Sequence, residues 1–169
     1  MGPRNRKAKE DKTLPRYGKV PKKDISPDSV YDSILVHKFI NKLTRGGKKS
    51  RAESIVYSAL DEVKNKLNKS PLAAFEKALE NLAPLVEVKA RRVGGATYQI
   101  PIEVTKARGL AMAMKWLRDV CRQRAGKSTV ERLVTELIDA HNGTGAAIKK
   151  KEDLHKTAEA NKAFAHFRW

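Results

Sequence analysis

The sequence predicts a mainly α fold, a single-domain bundle of about six helices with one protruding two-stranded β-hairpin between helices three and four. Three observations lead there. Apolar residues recur at helical spacing along most of the chain, the period falls from about 3.6 to 2 only between Val86 and Val104, and no other run alternates to supply a third strand. At 169 residues and 40% hydrophobic, the chain has enough apolar side chain for one ordinary core. The expected division is a basic arm over residues 1–23 and a helical domain over 24–169, with the hairpin at 85–104.

The arm comes first in the chain. Arg4, Arg6, Lys7, Lys9, Lys12, Arg16, Lys19, Lys22 and Lys23 face only Glu10 and Asp11 in charge, with Pro3, Pro15 and Pro21 among them. Burial cannot offset the ordering entropy of such a segment, so it is expected to be disordered until a partner orders it. Leu35, Val36, Phe39, Ile40 and Leu43 then form the stripe of a first helix, broken at Gly46 and Gly47. Ile55, Val56, Ala59, Leu60, Val63 and Leu67 make the second. Ser70 before Pro71 reads as an N-cap and first helical position, and Leu72, Phe75, Leu79 and Leu82 carry the third helix to Pro84.

After the hairpin, Leu110, Ala113, Met114, Leu117, Val120 and Cys121 mark a fourth helix ending near Gly126. Ser128 and Glu131 have capping-box spacing and open a fifth, with Val130, Leu133, Val134, Leu137 and Ile138, which stops at Asn142 and Gly143. From Glu152 to Trp169 the composition is helical but the stripe of Leu154, Ala158 and Phe164 is thin. A helix leaning partly on the body is expected there.

The hairpin is read from Val86, Val88 and Ala90 alternating with Glu87, Lys89 and Arg91, and from Tyr98, Ile100, Ile102 and Val104 alternating with Gln99, Pro101 and Glu103. Gly94 and Gly95 supply a turn that needs positive φ. Pro101 removes a ladder donor and suits an edge strand. Because an isolated pair of strands is barely stable in water, the base must pack on helices or the tip must be ordered by a ligand.

Charge narrows the partner. Lys and Arg number 36 against 19 Asp and Glu, for a net charge of +17, which calls for an anionic partner, nucleic acid or an acidic membrane surface. No apolar run reaches the length of a spanning helix, and no apolar stretch follows the basic N-terminus as a secretory signal would require. A soluble, intracellular protein is expected, and the single Cys121 suits a reducing compartment.

Catalytic readings find little support. His37, His141, His155 and His166 lack zinc-ligand spacing, Cys121 sits on an apolar stripe, and the glycines and Lys-Ser of GGKKS are out of register for a phosphate loop. Most acids stand at helical spacing from lysines, as Glu62 does from Lys66. No enzyme, metal or cofactor is expected.

The remaining signal is a basic surface assembled from several elements. Its candidate residues are Arg16, Lys22 and Lys23 of the arm; Lys38, Lys42, Lys48 and Lys49 of the first helix and the following loop; Arg91 and Arg92 of the hairpin; Arg108, Lys115, Arg118 and Arg122 of the fourth helix; and Lys149, Lys150 and Lys151. That many cations predict steeply salt-dependent binding to nucleic acid. Tyr98, Trp116 and Trp169 are candidates to stack on bases, though Trp116 also has core spacing. Composition does not separate RNA from DNA, and an architectural protein pushing a basic β-arm into double-stranded DNA has the same outline.

Motifs carry the distinction. KFINKLTRGGKKSRAESIVYSAL (Lys38 to Leu60), PLAAFEKALENLAPLVEVKARRVGGATYQIPIEV (Pro71 to Val104) and KKKEDLHKTAEANKAFAHFRW (Lys149 to Trp169) resemble the bacterial and organellar small-subunit ribosomal protein seven family. The resemblance runs from Val20 to Trp169. It implies a non-catalytic primary binder of small-subunit ribosomal RNA that grips a multi-helix junction in the three-prime major domain and nucleates head assembly, in the bacterial cytoplasm or an organelle. It implies a hairpin and C-terminal helix at the subunit interface, beside the exit site for transfer RNA and near platform protein eleven. On that resemblance Arg91, Arg92, Gly94, Gly95, Tyr98 and Gln99 face RNA, Lys149 to Lys151 with Arg168 and Trp169 form the C-terminal neighbour, and Lys127 to Thr129 is a loop against RNA. The family's N-terminal RNA-threading segment matches Val20 to Asp28; the chain upstream of Val20 is longer than the usual bacterial start.

Overall fold

The computed structural model describes residues 25–167. Arg16, Lys22 and Lys23, with the rest of the 1–23 arm, and Arg168 and Trp169 lie outside the described residues. The element order is α1 (Ile34–Leu43), α2 (Lys49–Leu67), α3 (Pro71–Leu82), β1 (Val86–Val93), β2 (Ala96–Glu103), α4 (Lys106–Gln123), α5 (Thr129–His141) and α6 (Ala146–Ala160), then a 3-10 helix over Lys162–Phe167. The hairpin stands between the third and fourth helices, as the change of period predicts.

One core holds the helices together. Val36, Phe39 and Ile40 of α1 meet Val56, Ala59 and Leu60 of α2, Phe75, Leu79 and Leu82 of α3, Leu117 of α4, and Leu133 and Val134 of α5. Phe39 and Phe75 pack with ring centroids 5.5 Å apart. α5 runs through the centre, touching α2, α3, α4 and α6. Cys121 is buried in this core, and burial pushes its thiol pKa up to about 12, so it packs as a small apolar side chain. Trp116 packs against the core from a half-buried position.

Local chemistry sets some helix boundaries, and only α5 has an N-cap side chain of its own among the described helices. Gly46 and Gly47 take φ of +59° and +75° to turn the chain from α1 into α2. Ser128 Oγ accepts the Glu131 N–H at 3.2 Å, and the two side chains bond at 3.0 Å, which is half of a capping box because Glu131 does not reach the Ser128 backbone. Ser70 is the N-cap of α3, with Pro71 at its first position, but its side chain makes no capping bond. The C-terminal helix begins at Ala146, before the sequence suggests, and gives way at Asn161 to the 3-10 helix.

The start of α6 has no capping side chain of its own. Its N-cap is Gly145, at φ +100°, and the buried Glu136 of α5 accepts the Ala147 N–H at 2.8 Å instead. A cap supplied by another helix leaves no local pattern in the sequence.

The hairpin register pairs Val86 with Glu103 through to Val93 with Ala96, around a two-residue turn in which Gly94 and Gly95 have φ of +58° and +90°. Both positive values fit the turn type whose twist matches the strands. Lys89 pairs with Ile100 and Arg91 with Tyr98, so the apolar stripe of β2 shares a face with the charged stripe of β1. Ile100 is fully buried, whereas Val86 and Val88 on the other face are half-buried. Each strand rests on α6, and β2 also meets the 3-10 helix. Support for the arm thus reaches Tyr98, two residues from the turn end of β2.

Candidate nucleic-acid interface

Helical spacing brings cations from different elements to shared hollows. On α1, Leu35, Lys38 and Lys42 lie at i, i+3 and i+7; on α4, Lys106, Leu110 and Met114 lie at successive fourth positions. The two faces meet in a groove of about 740 Å³ lined also by Ile25, Asn41, Ala107 and Ala111. Its floor is apolar and its rim is Lys38, Lys42 and Lys106, none with a hydrogen-bond or ion-pair partner among the described residues. Lys106 is absent from the sequence-based candidates; its spacing from Leu110 and Met114 is the signal that finds it.

A second hollow of about 360 Å³ lies at the α1–α2 turn, with Arg45, Lys48 and Arg51 around Leu43, Ala52 and Ile55. Arg122 of α4 donates to the Leu43 carbonyl at 3.0 Å, tying the end of α4 to this corner. Leu43 lines this hollow and Lys42 the first one, both in the last turn of α1.

The segment ahead of α1 is held firmly. Asp28 is buried and accepts from the Tyr57 hydroxyl at 2.7 Å and from the Val30 and Tyr31 N–H groups at 3.2 Å. Burial alone would raise its pKa, but these bonds outweigh it and hold the carboxyl below its usual value. Tyr31 donates to Asp61 at 3.1 Å, and burial with that carboxylate pushes the phenol up to about 12. This anchor delivers Ile25, the first described residue, to the edge of the α1/α4 groove.

Other candidate cations are already engaged. Arg108 pairs with Glu87 at 3.1 Å, and Lys89 pairs with the same carboxylate at 3.6 Å, bracing the hairpin base against α4. Arg118 pairs with Asp119 at 2.6 Å, Lys49 with Glu53 at 3.6 Å, and Lys150 donates to Gln123 at 3.4 Å. Lys151 donates to the Asn81 carbonyl at 2.6 Å, near the end of α3, where a cation complements the helix dipole. An exposed pair such as Lys49–Glu53 holds its partners by at most about 1 kcal/mol, so Lys49 is readily surrendered to a phosphate.

Arg91, Arg92, Lys115, Lys127 and Lys149 are exposed, with no side-chain partner among the described residues, and none of them lines either hollow. Gly94 and Gly95 open onto free space at the tip, and Gln99 is exposed on the face opposite Tyr98. Tyr98 is half-buried, its ring 5.0 Å from that of Phe164 and 5.7 Å from that of Phe167. Lys127 and the half-buried Thr129 flank Ser128 at the start of α5, where the Lys127 carbonyl accepts from Arg132 at 2.6 Å. Among the described residues no cluster of three His, Cys, Asp or Glu side chains suits a metal, and no helix is long and apolar enough to cross a membrane.

Comparison with known proteins agrees with this outline. A family described as "Ribosomal protein S7p/S5e" matches residues 15–162. The chain is 56% identical over 156 residues to "Small ribosomal subunit protein uS7" of Pelotomaculum thermopropionicum, covering 92% of this chain and 100% of that protein. Proteins of the same description from Hydrogenobaculum sp. and Cellvibrio japonicus are 56% and 57% identical, again across 92% of this chain and 100% of each relative.

Proposed function

Because the chain belongs to the ribosomal protein S7p/S5e family, we propose that it is a primary binder of small-subunit ribosomal RNA that nucleates assembly of the head. It is a ribosomal protein of the small subunit and not an enzyme; its partners are small-subunit ribosomal RNA and other ribosomal proteins. In the proposed role it grips a multi-helix junction in the three-prime major domain. The α1/α4 groove carries this reading, since it sets an apolar floor beneath three lysines that have no partner among the described residues. Lys38, Lys42 and Lys106 neutralise phosphates while a base or sugar rests on the half-buried Leu35 and Leu110, a combination suited to unstacked RNA at a junction.

Further cations contribute to the same role. Arg16, Lys22 and Lys23, ahead of Ile25 in the sequence, add to the phosphate-neutralising charge of the chain. Lys48 with Arg45 and Arg51, Arg122 at the Leu43 corner, and Lys115, Lys127 and Thr129 add phosphate contacts on neighbouring elements. The hairpin tip, with Arg91, Arg92 and Gln99, and the C-terminal end, with Lys149, Arg168 and Trp169, occupy the subunit interface beside exit-site transfer RNA and near platform protein eleven.

Chemical footprinting of small-subunit ribosomal RNA with and without the chain tests the reading. Protections concentrated at one junction of the three-prime major domain are expected. Protections spread evenly along the RNA would overturn it.

A further inference from the structure

The hairpin depends on the end of the chain. Two strands alone are barely stable in water, and this pair is carried by α6 and the 3-10 helix. Near its base, His155 Nε2 of α6 accepts the Leu85 N–H at 3.3 Å. Near its tip, Tyr98 meets Phe164 at 5.0 Å and Phe167 at 5.7 Å, both in tilted geometry within the favourable range for aromatic pairs. Tyr98 is also the register partner of Arg91, so the clasped ring and the free cation share one face of the arm.

We propose that Phe164 and Phe167 are positioning residues for RNA recognition. Their hold on Tyr98 fixes the direction in which Arg91 and Arg92 are presented, and they do this without touching RNA themselves. The inference rests on the RNA-binding reading and adds to it a role for the 3-10 helix. None of the three rings belongs to the main core, so the clasp can open without unfolding the bundle. Two aromatic contacts of this type bias a docked arm against a free one by a factor on the order of ten. An arm free most of the time presents its arginines only in the docked fraction, and apparent affinity falls with that fraction.

A double-mutant cycle tests the proposal on the full chain, with a three-prime major domain fragment as ligand. Phe164→Ala/Phe167→Ala is expected to leave the thermal midpoint of the bundle in place, speed amide exchange in Val88 to Ile100, and weaken binding by about threefold to tenfold. In an Arg91→Ala/Arg92→Ala background the same pair should weaken binding no further, because the tip it directs is gone. Phe164→Tyr/Phe167→Tyr, which keeps both rings, should restore affinity. An unchanged affinity in the Phe variants, or an equal loss with and without the arginines, overturns the positioning role. Failure of the unmutated chain to prefer the fragment would instead sink the RNA-binding reading itself.

Discussion

The carboxylate of Glu136, fully buried in α5, accepts the backbone N–H of Ala147 at 2.8 Å in the first turn of α6. Its other oxygen lies 3.5 Å from Arg124, which also reaches Asp139 at 3.4 Å. One side chain therefore caps the helix that carries the hairpin and ties it to the end of α4. Removing it strands a backbone donor away from water. Glu136→Ala is expected to lower stability by roughly 1 to 3 kcal/mol in denaturant unfolding, with Glu136→Gln losing less because it keeps an acceptor.

Gly145 belongs to the same junction. Its φ is +100°, and a Cβ there would stand 2.8 Å from the Asp139 Cβ and 3.2 Å from Glu136 Oε1. Gly145→Ala is both strained and crowded, and should cost about 1 to 3 kcal/mol. Gly95→Ala is its control. Its φ is also positive but its surroundings are open, so a smaller loss separates crowding from backbone strain.

Acid should loosen the hairpin base. Burial, with help from the nearby Lys151, holds the His155 pKa below its ordinary value, and the neutral ring accepts from Leu85. A pKa lowered in the docked state means that the stabilisation is complete above about 6.5, the free value, and is lost as pH falls through the lower docked value. Amide exchange at Leu85 and Val86 should quicken as pH drops below that range, beyond the intrinsic pH trend. His155→Gln should remove the excess.

Arg91 and Arg92 should matter for binding and not for folding. Both are exposed without a partner among the described residues, so replacing both with alanine should shift stability by less than about 0.5 kcal/mol per site. RNA affinity should fall and the slope of log K against log salt should become shallower by roughly one per lost phosphate contact. Phe39→Ala and Leu117→Ala, in the core, should do the reverse and cost roughly 2 to 5 kcal/mol in stability.

Much of the fold was legible because its signals are local. Phe39, Phe75 and Leu117 sit on stripes any helical period reveals, and Gly94–Gly95 between alternating runs marks the hairpin turn. What stayed hidden was tertiary. The cap on α6 comes from Glu136, eleven residues before Ala147. The rings that hold Tyr98 sit at Phe164 and Phe167, in a segment whose apolar stripe is thin. The candidate site shows the same division. Its cations are plain in the composition, but Lys151 is drawn to the Asn81 carbonyl, 70 residues away, and Arg122 to that of Leu43, 79 residues away. Lys106 gains its place only when α4 lies beside α1.

The affinity of the full chain for a three-prime major domain fragment, measured against random-sequence duplex RNA and duplex DNA at one ionic strength, decides the matter. The fragment should bind on the order of a thousandfold more tightly than either duplex, and Lys38→Ala/Lys42→Ala/Lys106→Ala should weaken that binding and make its salt dependence shallower. Equal affinity for all three ligands would contradict recognition of an RNA junction. A preference for duplex DNA would favour an architectural β-arm protein instead.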